Sequence, residues 1–187
     1  CRDNGINVLD LPQNLGIGGA VQTGHKYALR NDYDIDIQVD GDGQHDPSYI
    51  PRLVAEIEKG SDLAIGSRFL EKTNGFQSTF MRRIGISWLS VIHLFTGCHI
   101  TDPTSGFRAC GRRAIGLFSQ SYPIDYPEPE SIAYALKKGC RVSEVSVEMK
   151  ERQGGASSIG SISSVYYMIK VSLAIVIASF SVKRHSN

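Results

Sequence analysis

Residues 38–47, QVDGDGQHDP, place three aspartates, two glutamines and a histidine at the end of an apolar run. Asp40 and Asp42 stand two positions apart, just past the alternating Ile35, Ile37 and Val39, and Gln44 follows at the next i+2 step. Carboxylates at that spacing can turn toward one cation. All-oxygen ligation suits Mg²⁺ or Mn²⁺, which keep open positions for a phosphate-bearing substrate. A calcium loop of the EF-hand type fits poorly: counted from Asp40, His45 stands where the loop needs glycine and Pro51 where it needs glutamate. A turn leading into a capped helix accounts for Gly41, Gly43 and Asp46, but gives no reason for both Asp40 and Asp42.

Other residues with chemical potential fall at turns. NLGIGGAVQTG (14–24) is a glycine-rich entry to a helix, where backbone N–H groups can approach a phosphate. Val21 occupies the third glycine position of a dinucleotide fingerprint, and no G-K-[ST] follows, so it is neither that motif nor a P-loop. As a lone motif it is a plain helix-entry turn more often than a ligand site. Arginines recur at loop and helix starts: Arg68, Arg82, Arg83, Arg108 and Arg152. Arg68 and Arg152 each follow an expected strand, on the edge that carries Asp40, where a guanidinium suits phosphate oxygens bidentately. Arg83 and Ser87 are i, i+4 on an expected helix and can present a cation and a hydroxyl to one anion. The stretch ERQGGASSIGSISS (151–164) has the composition of a loop able to close over a ligand.

The elements that must position these groups alternate. INVLDL (6–11) reads as a strand, 20–31 as a helix, 34–40 as a strand, 46–60 as a helix opened by Asp46 and Pro47 and stopped by Gly60, and 62–68 as a strand. Strand–helix alternation favours a parallel α/β sheet, which binds ligands at the carboxyl ends of its strands. A helix near 82–97, a loop at 101–108, helices near 111–119 and 128–138 and a strand at 141–149 follow. In that last strand Val145, Val147 and Met149 face one way, Glu144 and Glu148 the other.

The 187 residues suit one domain, and a formal net charge of +1 gives no hint of a nucleic-acid partner. Cys1, Cys98, Cys110 and Cys140 form no C-x-x-C pair, so neither a zinc site nor a disulfide framework is indicated, and a reducing setting is the default. The chain opens on Cys rather than Met, which reads as a cut N-terminus. Val165–Val182 carries a single charge, Lys170, before Lys183, Arg184 and His185. A core helix, a helix lying in the bilayer interface and a membrane span compete for it. The chain therefore divides into a domain at 1–160 and a C-terminal apolar segment at 161–187.

In order, NLGIGGAVQTGHKYAL, VDGDGQHDP, LAIGSRF, RRIGIS, TDPTSGFRA and PEPESIAYALKKGCRVSEVSVEMKERQGGASSI resemble the family 2 glycosyltransferases. The likeness is to the branch of dolichol-phosphate mannosyltransferases and bacterial polyprenyl-phosphate glycosyltransferases. It implies a GT-A-like α/β fold, mixed but mostly parallel, and a UDP- or GDP-sugar donor. On that resemblance Asp40 and Asp42 are the D-x-D pair and, with Gln44, hold Mg²⁺ or Mn²⁺ on the donor diphosphate. Asn14, Gly16 and Gly18 lie by the nucleotide, and Arg152 grips the donor phosphates. Arg68, Arg83 and Ser87 match positions that receive an acceptor lipid phosphate, while Asp102, Glu128 and Glu130 line the sugar end. Asp102 is the first candidate for a base if the acceptor is a hydroxyl. The implied acceptor is a polyprenyl phosphate or a growing glycan, the implied reaction an inverting displacement, and the implied location the cytoplasmic face of a membrane, or the cytoplasm if the last helix is core.

The family's opening P-x-Y-N-E strand and its D-x-S-x-D segment, which build the pocket for the nucleotide base, are not in this sequence. A degenerate, non-catalytic module and a nucleotidyltransferase of related architecture are therefore kept as alternatives.

Overall fold

The computed structural model describes residues 2–70, 98–124 and 127–150. Arg82, Arg83, Ser87 and Arg152, the expected helix at 82–97, the loop at 151–164 and the apolar segment at 161–187 lie outside the described residues.

Helix α1 (Gly16–Arg30) starts earlier than its apolar pattern indicates. Asn14 closes the entry by accepting the Gly16 N–H at 2.9 Å, and Gly16 adopts φ +70, a conformation costly for any residue with a Cβ. The short connection 31–34 leads into β1 (Ile35–Gln38), so α1 runs antiparallel to that strand and its N-terminal end rises to the carboxyl end of β1. Asp46 then caps a 3₁₀ turn, Pro47–Tyr49, by accepting the Ser48 N–H, and the chain continues as α2 (Ile50–Glu58). Strand β2 (Leu63–Ser67), strand β3 (Arg108–Gly111), helix α3 (Arg112–Gln120), helix α4 (Pro127–Lys137) and strand β4 (Val142–Ser146) complete the described elements.

The described strands form a four-stranded sheet in the order β1-β3-β2-β4. β3 pairs antiparallel with both β1 and β2, while β2 and β4 pair parallel. The expectation of a mostly parallel sheet is corrected here. β1, β2 and β4 do run in one direction, but β3 is inserted against them and turns two neighbour pairs antiparallel. The expected strand at 6–11 also does not form. Ile6, Val8 and Leu9 are exposed, and no described strand lies alongside to take up the backbone hydrogen bonds that a strand needs.

The sheet is covered on both faces. Leu63, Ile65 and Cys110 face α1, α3 and α4, where they pack with Ala28, Ile115, Phe118 and Ile132. Ala64, Ala109, Phe107 and Val147 pack on the other face with Leu53 of α2. This alternation along β2 and β3 fixes their register, since a one-residue slip would exchange the two cores. Among the described residues no helix is long and apolar enough to cross a membrane.

Candidate active site

The carboxyl end of β1 delivers Asp40 and Asp42 to one edge of the sheet, and three separate segments converge on them. His45 is buried, with its ring stacked on Phe107 at 4.9 Å. Its Nδ1 accepts the Asp40 N–H at 3.1 Å, which assigns the proton of the neutral ring to Nε2, 3.8 Å from the Asp40 carboxylate. Burial pushes the His45 pKa below its ordinary value, against the opposing pull of Asp40 and Asp42. Arg68 and Asp102 also act electrostatically on His45, so the D-x-D loop and the T-D-P-T turn share one neighbourhood.

The second segment is the 101–107 turn. A Cβ on Gly106 would lie 2.8 Å from Asp40 Oδ2 and 3.0 Å from Oδ1, so only glycine lets this backbone run against the carboxylate. The third segment is 149–150. Gln44 Nε2 donates to the Lys150 carbonyl at 3.3 Å, Lys150 N–H donates to the Gln44 carbonyl at 3.0 Å, and His45 bridges to Met149. The chain leading toward Arg152 is thus stitched to the D-x-D loop. Lys150 also reaches Asp46 at 3.0 Å, and the Ser48 N–H, followed by Lys150, holds the Asp46 carboxyl down at about 2.

Within the loop, Asp42 accepts the Gln44 N–H at 3.1 Å, an Asx turn that sets the direction of its carboxylate. The donors on offer are hard oxygens: the exposed carboxylate of Asp40, the half-buried one of Asp42 and the amide oxygen of Gln44. That set suits Mg²⁺ or Mn²⁺, and the close approach that Gly106 permits keeps this side of Asp40 free of side-chain bulk.

Other expected site residues are occupied with one another. Asp102 is fully buried, and Arg68 grips it bidentately, Nε to Oδ2 at 2.6 Å and Nη2 to Oδ1 at 2.7 Å, with a further bond to Thr104 at 3.0 Å. Asp102 is therefore an anchor for Arg68 and not an open base, and together with Thr104 it engages three of the five guanidinium N–H donors of Arg68. Glu144, on β4, accepts from Thr101 N–H at 2.8 Å, Thr101 Oγ1 at 3.0 Å and Asp102 N–H at 2.9 Å. Ser67 bonds the Thr101 hydroxyl at 2.6 Å. Sequence reasoning passed over Glu144, Ser67, His45 and Gly106. Only the placement of Glu144 on the face opposite Val145 and Val147 hinted at a role, because its partners lie 42 and 43 positions away.

Arg108 is buried and donates to the Ser105 carbonyl at 2.7 Å, the Pro103 carbonyl and Ser131 Oγ at 2.8 Å, tying the same turn to the first turns of α4. Glu128 and Glu130 sit in the first turn of α4, where the helix dipole favours carboxylates. Asn14 and Gly16 serve the entry to α1. Gly18 packs so closely on the chain at Pro123 and Ile124 that a Cβ would stand 2.3 Å from the Pro123 carbonyl oxygen. Close packing thus explains Gly18 without a nucleotide.

A glycosyl transferase family 2 model matches residues 2–117. The chain belongs to glycosyltransferase family 2. The undecaprenyl-phosphate mannosyltransferase of Micrococcus luteus is 32% identical over 169 residues, 84% of this chain and 66% of that protein. The polyprenol monophosphomannose synthase of Mycolicibacterium smegmatis is 28% identical over 177 residues, 89% of this chain and 64% of that protein. The chain thus spans just under two thirds of the length of each of these relatives. In structure it is similar to glucosyl-3-phosphoglycerate synthase from Mycobacterium tuberculosis, crystallised with phosphoglyceric acid. The TM-score is 0.59 at 18% identity, covering 92% of this chain and 57% of that one, a likeness of GT-A fold alone.

Proposed function

We propose that this chain forms part of an inverting glycosyltransferase that moves a sugar from a UDP- or GDP-sugar to a polyprenyl phosphate at the cytoplasmic face of a membrane. The observation that carries the reading is the convergence of Asp40 and Asp42 with the T-D-P-T-S-G turn at one sheet edge. Relatives named for polyprenyl-phosphate sugar transfer support the acceptor class.

On this reading Asp40, Asp42 and Gln44 would hold Mg²⁺ or Mn²⁺ against the donor diphosphate. The cation supplies neutralisation of the charge that grows on the departing nucleoside diphosphate. Asp42 is oriented for this by its Asx turn, and Asp40 by the His45 contact beneath it. His45, stacked and buried, excludes water from the inner side of the loop. An oxygen of the acceptor phosphate forms the new bond to the anomeric carbon as the bond to the donor diphosphate breaks. That oxygen is already ionised near neutral pH, so no base is needed, in keeping with an Asp102 that is committed to Arg68. Arg68 and Asp102 then act as a rigid positioning pair. Arg152 is assigned to the donor phosphates and Arg83 and Ser87 to the acceptor phosphate, with Glu128 and Glu130 toward the sugar.

The test uses the complete protein with GDP- and UDP-sugars, Mn²⁺ and polyprenyl phosphate, and follows glycolipid formation. Asp42→Asn should lower turnover by about 10²-fold or more. Undiminished transfer in that variant would remove the D-x-D assignment. Transfer to sugar hydroxyls only would replace the lipid-phosphate acceptor with a glycan and call for a base among Glu128 and Glu130.

A further inference from the structure

A second cluster of chemically capable side chains lies inside the core, on the strand that leads to Asp40. His25 of α1, Asp36 of β1 and Cys110 of β3 bring an imidazole nitrogen, a carboxylate oxygen and a thiol sulfur within 4.8 Å of one another. Asp36 and Cys110 are direct cross-strand partners, so their side chains share the face covered by α1. His25 reaches down from the helix, and its Nδ1 stands 2.6 Å from Asp36 Oδ2. Phe118 and Tyr122 pack on the imidazole, each with ring centroids 5.3 Å away. His25 is 4% exposed and Cys110 is 3% exposed.

A simple His–Asp hydrogen bond explains only part of this cluster. It satisfies Nδ1 and Oδ2, yet Asp36 Oδ1 is buried without a hydrogen-bond partner. Leaving a carboxylate oxygen so is costly, and the thiol beside it adds little to repair the loss. A divalent cation changes the balance. One thiolate, one carboxylate and one neutral imidazole around M²⁺ sum to zero charge, the favourable state for a site walled by aromatic and aliphatic side chains. Mixed sulfur, nitrogen and oxygen donors select a borderline-soft transition ion over Mg²⁺.

We propose that His25, Asp36 and Cys110 form a buried structural site for a transition-metal ion of the Zn²⁺ class, separate from the hard-oxygen loop at Asp40 and Asp42. The ion enters as the thiol proton leaves and the His25 ring moves its Nδ1 proton to Nε2; one Asp36 oxygen binds it while the other stays close to its charge, so the partnerless Oδ1 gains a favourable neighbour. Tetrahedral donors about 2.0–2.3 Å from zinc stand roughly 3.3–3.7 Å apart, so the His25–Asp36 pair must open by about 1 Å. Its effect is mechanical. It ties the middle of α1 to β1 and β3, and so fixes the helix whose N-terminal end and the strand whose carboxyl end meet at the active-site edge.

The experiment titrates the full, reduced, metal-stripped chain anaerobically with Co²⁺ and records its absorption. One equivalent should produce a thiolate-to-cobalt charge-transfer band with tetrahedral d–d bands, displaced by Zn²⁺ and insensitive to excess Mg²⁺. Cys110→Ala and His25→Gln should abolish the band, and Asp36→Asn should weaken Co²⁺ at least tenfold. Asp40→Asn with Asp42→Asn should leave it intact. Circular dichroism reports whether each variant is folded, and Zn²⁺ should raise the melting temperature of the unaltered chain but not of Cys110→Ala. Absence of the band from the unaltered chain overturns the proposal whatever the variants do. The same band in Cys110→Ala, which retains Cys1, Cys98 and Cys140, also overturns it.

Discussion

At the scale of single residues, the active-site edge is a set of constraints on direction. Gly106 is required because a Cβ there would stand 2.8 Å from the Asp40 carboxylate. Gly106→Ala should leave the fold intact, since Asp40 is exposed and can swing away, yet lower turnover by roughly 10²-fold through misplacement of that carboxylate; unchanged steady-state kinetics would refute the constraint. Arg68 and Asp102 form a buried bidentate pair, so Arg68→Ala should cost about 3–5 kcal/mol by stranding the Asp102 charge. Urea denaturation measures that loss, and the double variant Arg68→Ala with Asp102→Ala should recover part of it. His45 links stability to pH. Its folded-state pKa lies below the ordinary 6.5, so between the two values the unfolded chain binds the extra proton. Stability should therefore fall as pH drops through about 6.5 and level off below the folded-state value. His45→Gln should flatten that part of the profile, and identical slopes for both proteins between about pH 7.5 and 5 would exclude His45 as its source.

At the scale of elements, the edge is made by ends of strands and helices tied together. Lys150 and Gln44 exchange hydrogen bonds, so the segment after β4 moves with the D-x-D loop. Glu144, one strand over, holds the Thr101–Asp102 backbone. Glu144→Gln replaces one accepting oxygen by an amide that faces N–H donors, and should cost about 1–3 kcal/mol with a weaker hold on the turn. The thermal midpoint reads this out, and no change would mean that the turn stands without β4. Helix α1 is seated through Gly18 on the Pro123–Ile124 chain. Gly18→Ala must push these apart and should destabilise by about 1–3 kcal/mol, seen as a lower urea midpoint.

At the scale of the whole molecule, much of this architecture was legible in the chain. The alternation of Ile35, Ile37 and Val39, the Asp46-Pro47 helix start and the Gly60 stop located β1, α2 and β2 to within a few residues, because these signals are local. The order of six motifs placed the chain in its family. β3 was not legible. Its four residues, RACG, carry no clear alternation, because strands pair with both its edges and helices cover both its faces. The INVLDL pattern misled for the converse reason: alternation promises a strand only where a neighbour supplies hydrogen bonds. By itself the sequence determined the family, the helices and strands with strong local periodicity, and the carboxylate pair at a strand end. Only the tertiary structure decided that Arg68 and Asp102 belong to each other, that Glu144 holds their turn, and that His25, Asp36 and Cys110 meet. Those contacts join residues 11 to 85 positions apart, and proximity of that kind arises from chain reversal and sheet register, which no local spacing encodes.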